Sequence, residues 1–222
     1  MVVAPDREKS AVSFGLTTTQ PLRINKVDET HYAISGTPVD CVYMATKIIV
    51  NRKPDIVISG INLGANLGED TIYSGTVAGA FQASLLGIPS IAISAIEDGK
   101  GGYDLEAAGG IIENIAKYIL NNTLPEGKIL SINVPPSPKG IKITRLGHKR
   151  YDAEIIKKSD PRGREYYWIG PGNITTFGSN NSDVNVTKEG YTSVVPLSLN
   201  FFDNELYEEL KGKENEIFKE MV

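Results

Sequence analysis

One β-branched run between a proline and a glycine constrains the fold of this chain more than any other stretch. Ile56–Ile58 follows Pro54-Asp55 and ends at Ser59-Gly60. An uninterrupted apolar run of this kind predicts a strand that is buried on both faces of a parallel sheet. Ligands in such sheets bind beyond the carboxyl ends of the strands. We therefore expect the functional site directly after this strand.

The segment after the strand has the composition of an anion site. Glycines at four-residue spacing alternate there with polar residues, namely Gly60, Asn62, Gly64, Asn66, Gly68 and Asp70. Ser74-Gly75-Thr76 then begins a helix, whose first N–H groups and positive dipole end favour a phosphate. Asn62 offers a neutral oxygen for a hard cation or a phosphate. The alternative is a turn-rich connection in which Ser74 and Thr76 only cap the helix.

Strands and helices alternate through the first part of the chain. This alternation predicts an α/β fold, a Rossmann-like three-layer parallel sheet with covering helices, in a domain of residues 1–138. The predicted elements after the first strand are a hairpin over 22–34, helices starting at Thr37, near Ser74 and at Asp104, and strands 90–94 and 128–134. Asp40 is interpreted as a helix-start residue and Cys41 as a core residue.

Residues 139–222 predict a β-hairpin and helix extension. The pattern gives a strand over 141–146, a hairpin of 154–159 with 165–169, a polar loop over 173–183, a strand over 191–197 and a helix over 204–221. Such a segment has little core of its own, so we expect it to pack on a second subunit.

Composition excludes several classes of function. A net charge of −4 and a pI near 5.3 give no basic field for a nucleic-acid polymer or a membrane surface. The amino-terminal residues lack a targeting signal, and no apolar run reaches membrane-spanning length. A single cysteine, Cys41, favours the reducing cytoplasm. The spacing of Gly60, Gly64 and Gly68 does not fit the dinucleotide-binding pattern of an oxidoreductase.

Several polar residues near the chain's start and in its extension have two readings. Ser10 follows a strand end, as Asn62 does, and is either a site residue or a simple turn residue. Arg7, Lys9 and the basic cluster of Arg145, His148, Lys149 and Arg150 either steer an anionic substrate or form a solvated surface or subunit contact.

Six segments together resemble one family, that of the stationary-phase survival protein SurE. These segments are VVAPDREKSA at 2–11, GTPVDCV at 36–42, SGINLGANLG at 59–68, YSGTVAGA at 73–80, INVP at 132–135 and EGY at 189–191. They occur in one order over nearly the whole chain, which makes the resemblance far more specific than a single glycine loop.

The resemblance implies a metal-dependent phosphohydrolase. Its substrates would be nucleoside 5′- and 3′-monophosphates and short polyphosphate. One divalent ion, Mg²⁺ or Mn²⁺ and in crystals Ca²⁺, would be held in part by Ser10 and Asn62. Our own mechanistic hypothesis is that Ser74, Gly75 and Thr76 cradle the phosphate at the helix start and that Asn66 lies near the leaving or attacking oxygen, with Ser74 and Asn66 as the catalytic residues. The extension would exchange between subunits to give a homodimer or homotetramer.

The sequence departs from the family's pattern in one respect. The family places two adjacent aspartates after its first strand, upstream of the segment that matches Val2-Val3, and Asp6 matches a different family residue. We therefore expect an N-terminally truncated chain or a misplaced start codon, with little or no hydrolysis. The alternative function is a catalytically impaired fragment that acts only as an oligomerisation module.

Overall fold

The computed structural model describes residues 1–170 and 172–214 as an α/β arrangement of strands and helices. The strands are β1 (Val2–Pro5), β2 (Ile24–Lys26), β3 (His31–Ile34), β4 (Val57–Leu63), β5 (Ser90–Ala95), β6 (Lys128–Val134), β7 (Ile141–Ile143), β8 (His148–Asp152), β9 (Ile155–Ser159), β10 (Glu165–Ile169), β11 (Asn173–Phe177) and β12 (Thr192–Ser198). The helices are α1 (Pro38–Met44, continued by a π-helical turn at Ala45–Ile49), α2 (Asp70–Tyr73), α3 (Gly75–Leu85), α4 (Leu105–Asn122), α5 (Asp183–Lys188) and α6 (Asn204–Gly212).

The main sheet has five strands in the order β4-β5-β6-β12-β7. Strands β4, β5 and β6 are parallel, whereas β12 runs antiparallel to β6 and parallel to β7. The predicted α/β fold with a mainly parallel sheet is therefore confirmed. Strands β7 and β12 come from beyond residue 138 and join this sheet, and the domain boundary at that residue stays a prediction.

Helices cover both faces of the sheet. Ile91 and Ile93 of β5 pack in a core with α4. Ala92, which points to the opposite face because side chains alternate along a strand, packs in a second core with α3. The predicted three layers are present.

Strand β4 differs from its sequence prediction in extent and in position. It runs from Val57 to Leu63 rather than ending at Ser59, so Asn62 lies within the strand. It is the edge strand of the main sheet, and Ile58 is 42% exposed. The prediction of burial on both faces was wrong. A β-branched run is compatible with a partly exposed edge strand as well as with a fully covered central strand.

A smaller sheet holds the amino terminus. Its order is β1-β3-β2, in which β1 is parallel and β2 antiparallel to β3, as the predicted hairpin over 22–34 requires. Among the strands of residues 1–170 and 172–214, β1 pairs only with β3 and β4 only with β5.

Helix α1 begins as predicted. Thr37 and Asp40 form a reciprocal capping box, and Pro38 is the first helical residue. Asp40 also accepts hydrogen bonds from Thr17 N and Oγ1, at 3.0 and 2.6 Å. Burial alone raises the pKa of Asp40, but these hydrogen bonds outweigh it and lower the pKa. Burial raises the pKa of Cys41 to about 12, so both residues have the structural roles that were predicted.

The extension is one long hairpin in two parts. Strands β9 and β10 pair at its tip, around a turn at 160–163, as predicted. The polar segment predicted as a loop over 173–183 instead contains β11, which pairs with β8. Large side chains are exposed at the tip, and Trp168 and Ile169 are 63% and 80% exposed. The end of the helix predicted over 204–221 lies outside the described residues.

None of the helices in the described part of the chain is long and apolar enough to cross a membrane.

Candidate active site

A row of polar residues crosses the main sheet at the carboxyl ends of its parallel strands. Asn62, Ser94, Asn133 and Ser193 are partners in register across β4, β5, β6 and β12. Residues in register point to the same face of a sheet. This face is the one that α3 covers. Ser94 points to the same face as Ala92, which packs against α3, and to the opposite face from Ile93, which packs against α4. The sheet thus provides a polar floor under the segment that links β4 to α3.

Asn66 is fixed to this floor at three atoms. Its backbone N–H donates to Oδ1 of Asn133 at 2.8 Å, and its carbonyl oxygen accepts from Nδ2 of Asn133 at 3.1 Å. Its side-chain Nδ2 donates to Oγ of Ser94 at 2.7 Å. Asn66 is only 8% exposed, so both its backbone and its side chain are held in one position.

The start of α3 lies at the end of the same segment. Ser74 is the N-cap residue, and its Oγ accepts from Val77 N at 3.1 Å. Within residues 1–170 and 172–214 no acceptor is found for the hydroxyl proton of Ser74, so it can be donated to a ligand. Gly75 and Thr76 occupy the first turn, where backbone N–H groups have no acceptor within the helix. This helix start can therefore donate several hydrogen bonds to an anion, and the helix dipole favours the negative charge.

The turn that carries Ser10 packs beside this helix start. Ser13 donates from its N to the carbonyl oxygen of Tyr73 at 2.9 Å and from its Oγ to that of Ile72 at 2.6 Å. Ser10 itself donates from Oγ to Oε1 of Glu8 at 2.8 Å. Ser13 lies three residues after Ser10. Its contacts place this part of the chain next to the residues that precede Ser74.

Asn62 is held by its own segment. Its Nδ2 donates to the carbonyl oxygen of Gly64 at 2.8 Å, which leaves Oδ1 as a possible ligand. Among the described residues no hydrogen bond joins Ser10 to Asn62. The Oγ of Ser10 and the Oδ1 of Asn62 are oxygen ligands, the type that a hard cation such as Mg²⁺ or Mn²⁺ prefers. Both oxygens are neutral, and the described residues contain no group of three or more His, Cys, Asp or Glu that could hold a metal.

Asp183 anchors the segment from the side of the extension. This carboxylate is 0% exposed and accepts from the backbone N–H groups of Gly68 at 3.0 Å, Gly147 at 2.7 Å and Val184 at 2.8 Å. Gly68 has a φ of +53°, and a Cβ there would lie 2.7 Å from the backbone N of Lys149. Only glycine fits this close approach of the two segments.

Two acidic residues tie the same segment to β8. Glu69 accepts from Lys149 N and is 2.8 Å from His148 Nδ1, and Asp70 is 2.7 Å from Lys149 Nζ and accepts from Tyr151. The hydrogen bonds from His148 and then from Lys149 lower the pKa of Glu69 to about 2. The amine of Lys149 is partly buried, which by itself lowers its pKa, but the hydrogen bonds to Asp70 and Tyr151 raise it overall.

The contacts of the basic cluster give it a role that neither of its two readings included. His148 and Lys149 are engaged by acidic residues of the same chain, and the guanidinium of Arg150 lies 5.0 Å from the centre of the Phe177 ring. Three members of the cluster thus form contacts within the subunit, which the sequence analysis did not anticipate.

Sequence reasoning missed the residues that hold the segment in place. Ser94, Asp183 and Glu69 were given no role, Asp70 was noted only as a polar residue of the glycine-rich segment, and Asn133 was noted only as part of a motif. A sequence signal existed for Ser94 and Asn133, since each is a polar residue near the carboxyl end of a buried apolar strand. No comparable signal marked Asp183, which lies in a polar stretch.

Comparison with known proteins gives consistent matches. The family model described as "Survival protein SurE" matches residues 1–153. A protein named 5′-nucleotidase SurE from Legionella pneumophila (strain Lens) is 43% identical over 220 residues, which cover 97% of this chain and 86% of that relative. Another of the same name from Pelobacter propionicus is 44% identical over 202 residues, covering 89% and 81%.

A solved structure agrees with these matches. The crystal structure of the SurE protein from Aquifex aeolicus superposes with a TM-score of 0.79 at 39% identity, covering 96% of this chain and 87% of that one. Because the family model, the relatives and the fold agree over most of the chain, this protein belongs to the SurE family.

Proposed function

We propose that this chain is a phosphatase that releases phosphate from nucleoside 5′-monophosphates. The relatives named 5′-nucleotidase support the substrate class. The observation that carries the proposal in this chain is the segment that leads into the start of α3: it contains Asn66, which is buried and held by hydrogen bonds on the face of the sheet that α3 covers. A phosphate ester requires little beyond neutralisation of its charge and correct placement of the attacking water, and this arrangement suits both.

Each residue has a proposed role. The N–H groups of Gly75 and Thr76 bind the phosphate oxygens, and the hydroxyl of Ser74 donates a further hydrogen bond to them. The amide of Asn66 orients the attacking water or the leaving oxygen. Ser74 and Asn66 are thus the catalytic residues of the proposal, because both touch the reacting group.

We further propose that Ser10 and Asn62 contribute ligands to one divalent ion, Mg²⁺, Mn²⁺ or Ca²⁺. When bound, the ion would neutralise phosphate charge and lower the pKa of a water molecule. Both ligands are neutral, so we expect this part of the chain to hold the ion only at about millimolar concentration.

Other properties complete the proposal. Nucleoside 3′-monophosphates and short polyphosphate would be further substrates. The buried thiol of Cys41 supports a reducing cytoplasmic location. The exposed apolar tip of the hairpin and the exposed Leu206 and Leu210 of α6 support a homodimer or homotetramer formed through the extension.

Phosphate release from AMP tests the proposed function. We expect slow turnover that requires Mg²⁺ or Mn²⁺ and rises through the millimolar range, because Ser10 and Asn62 are neutral and hold the ion weakly. Cyclic AMP is the matched control substrate, because it is a phosphodiester without the terminal phosphate dianion, and it should not be hydrolysed.

The alternative function, an oligomerisation module without catalysis, predicts a different result. The chain would form dimers or tetramers without metal, and AMP would be left intact at every metal concentration. That outcome would refute the phosphatase proposal.

A further inference from the structure

Resting on the proposed function, we infer that Asn133 is a positioning residue of this site. Its buried amide holds the backbone of Asn66 and so sets where the side chain of Asn66 meets the substrate. Asn133 does not reach the start of α3 through any hydrogen bond among the described residues, and it would act entirely through Asn66.

The contact requires a primary amide at position 133. The N–H of Asn66 needs an acceptor, which Oδ1 of Asn133 supplies at 2.8 Å, and the carbonyl of Asn66 needs a donor, which Nδ2 supplies at 3.1 Å. Serine or alanine cannot satisfy both groups at this distance. An ionised aspartate accepts at both oxygens and cannot donate.

The position of Asn133 is itself fixed by the centre of the fold. The residue is 0% exposed and lies on β6, which pairs with β5 on one side and β12 on the other. Its neighbours Ile132 and Val134 are fully buried in the core under α4. The amide thus ties a strand in the middle of the sheet to a connection that has no regular secondary structure between Gly64 and Glu69.

Ser94 completes this arrangement from the adjacent strand. Its Oγ contacts Nδ2 of Asn66 at 2.7 Å, so the backbone of Asn66 is held by β6 and its side chain by β5. A misplacement of about 1 Å can lower a rate by about 100-fold. Loss of either contact should therefore affect turnover more than substrate binding, because the phosphate cradle at α3 stays intact.

A purely structural role would give a different signature. If Asn133 only satisfied two buried backbone groups, its loss would lower thermal stability and leave the kcat of the folded protein unchanged. If it positions Asn66, kcat falls in protein that is fully folded. The two readings therefore separate when kcat is measured well below the unfolding temperature and corrected for the folded fraction.

The experiment compares Asn133→Ala, Asn133→Asp and Ser94→Ala with the control Ser131→Ala. Ser131 is 2% exposed and lies two residues earlier on the same face of β6. In AMP hydrolysis we expect Asn133→Ala to lower kcat by about 100-fold and Ser94→Ala by about 10-fold, with KM changed by less than about threefold. The control should retain wild-type kcat.

Asn133→Asp adds a second measurement, the pH dependence of kcat, which should not change if the role of Asn133 is purely structural. A protonated aspartic acid can accept at one oxygen and donate from the other, as the amide does. The hydrogen-bond partner of this position, Asn66, and its cross-strand neighbours Ser94 and Ser193 are neutral, and burial raises a carboxyl pKa above its usual value of about 3.9. The kcat of this variant relative to wild type should therefore rise as the pH falls through that pKa, whereas the ratio for Asn133→Ala should stay flat.

Two results would overturn the inference. One is a folded Asn133→Ala protein with unchanged kcat, and the other is a pH-independent ratio for a folded Asn133→Asp protein. If both variants fail to fold, an unchanged kcat in Ser94→Ala overturns it and a selective loss of kcat supports it. Absence of turnover in the wild type would instead refute the proposed function together with this inference.

Discussion

Replacement of Asp183 by alanine is expected to lower the free energy of unfolding by about 3 kcal/mol. The carboxylate is fully buried and accepts from the N–H groups of Gly68, Gly147 and Val184. Alanine would leave buried donors without an acceptor, which costs about 1 to 3 kcal/mol for each group. For a chain of this size the melting temperature should fall by about 6 to 12 °C, because each kcal/mol is worth about 2 to 4 °C. Thermal and urea unfolding measure the loss.

Two further variants make this prediction specific. Asp183→Asn keeps an acceptor for Gly147 and Val184 but can place an NH₂ group opposite the N–H of Gly68, so it should weaken only the anchor of the candidate site. Asp55→Ala is the matched control, since Asp55 forms an exposed pair with Arg52 and exposed pairs contribute little. Equal stability of Asp183→Ala and Asp55→Ala would contradict the anchoring role.

Replacement of Asn66 by alanine is expected to lower kcat/KM for AMP by about 100-fold to 1,000-fold. Removal of one group that stabilises charge or places a reactant in an active site has effects of this size. Stability should change by only about 1 kcal/mol. The reason is that the two hydrogen bonds to Asn133 come from the backbone of Asn66 and survive the substitution, while only the contact with Ser94 is lost.

Steady-state phosphate release together with thermal unfolding checks both parts of this expectation. Asn51→Ala serves as the control, because Asn51 is exposed and precedes β4 at the opposite end of the strand. Wild-type activity in Asn66→Ala would remove Asn66 from the mechanism.

Much of the fold could be predicted because its signals are local. The caps at Thr37 and Asp104 each lie within three residues of the group they bond, so the sequence pattern contains both partners. The buried strand β5 combines β-branched residues with small ones and is buried along its whole length. For these elements, local preference and tertiary packing favour the same structure.

The rest depends on contacts between distant parts of the chain. Asp183 and Gly68 are 115 positions apart, and Asn133 and Asn66 are 67 apart. Nothing in either local sequence specifies the other. The edge position of β4 and the pairing of β11 with β8 are likewise set by which strands become neighbours. The residue types proposed for the candidate site were therefore accessible from the sequence, whereas the pairings that hold them in place were not.

The central claim is that a nucleotide's phosphate binds at the start of α3, beside a cation held in part by Ser10 and Asn62. An NMR titration of isotope-labelled protein tests this claim without relying on turnover. AMP with Mg²⁺ should shift the amide resonances of Gly75 and Thr76 most strongly, and Mn²⁺ should broaden those of Ser10 and Asn62.

The structure offers a clear rival location for the same titration. A cavity of about 410 Å³ with Lys47, Arg52 and Lys53 in its lining lies at the amino end of β4, opposite the candidate site. We predict that AMP shifts the resonances at the start of α3 and leaves those around this basic cavity unchanged. Shifts confined to Lys47, Arg52 and Lys53 would contradict the account.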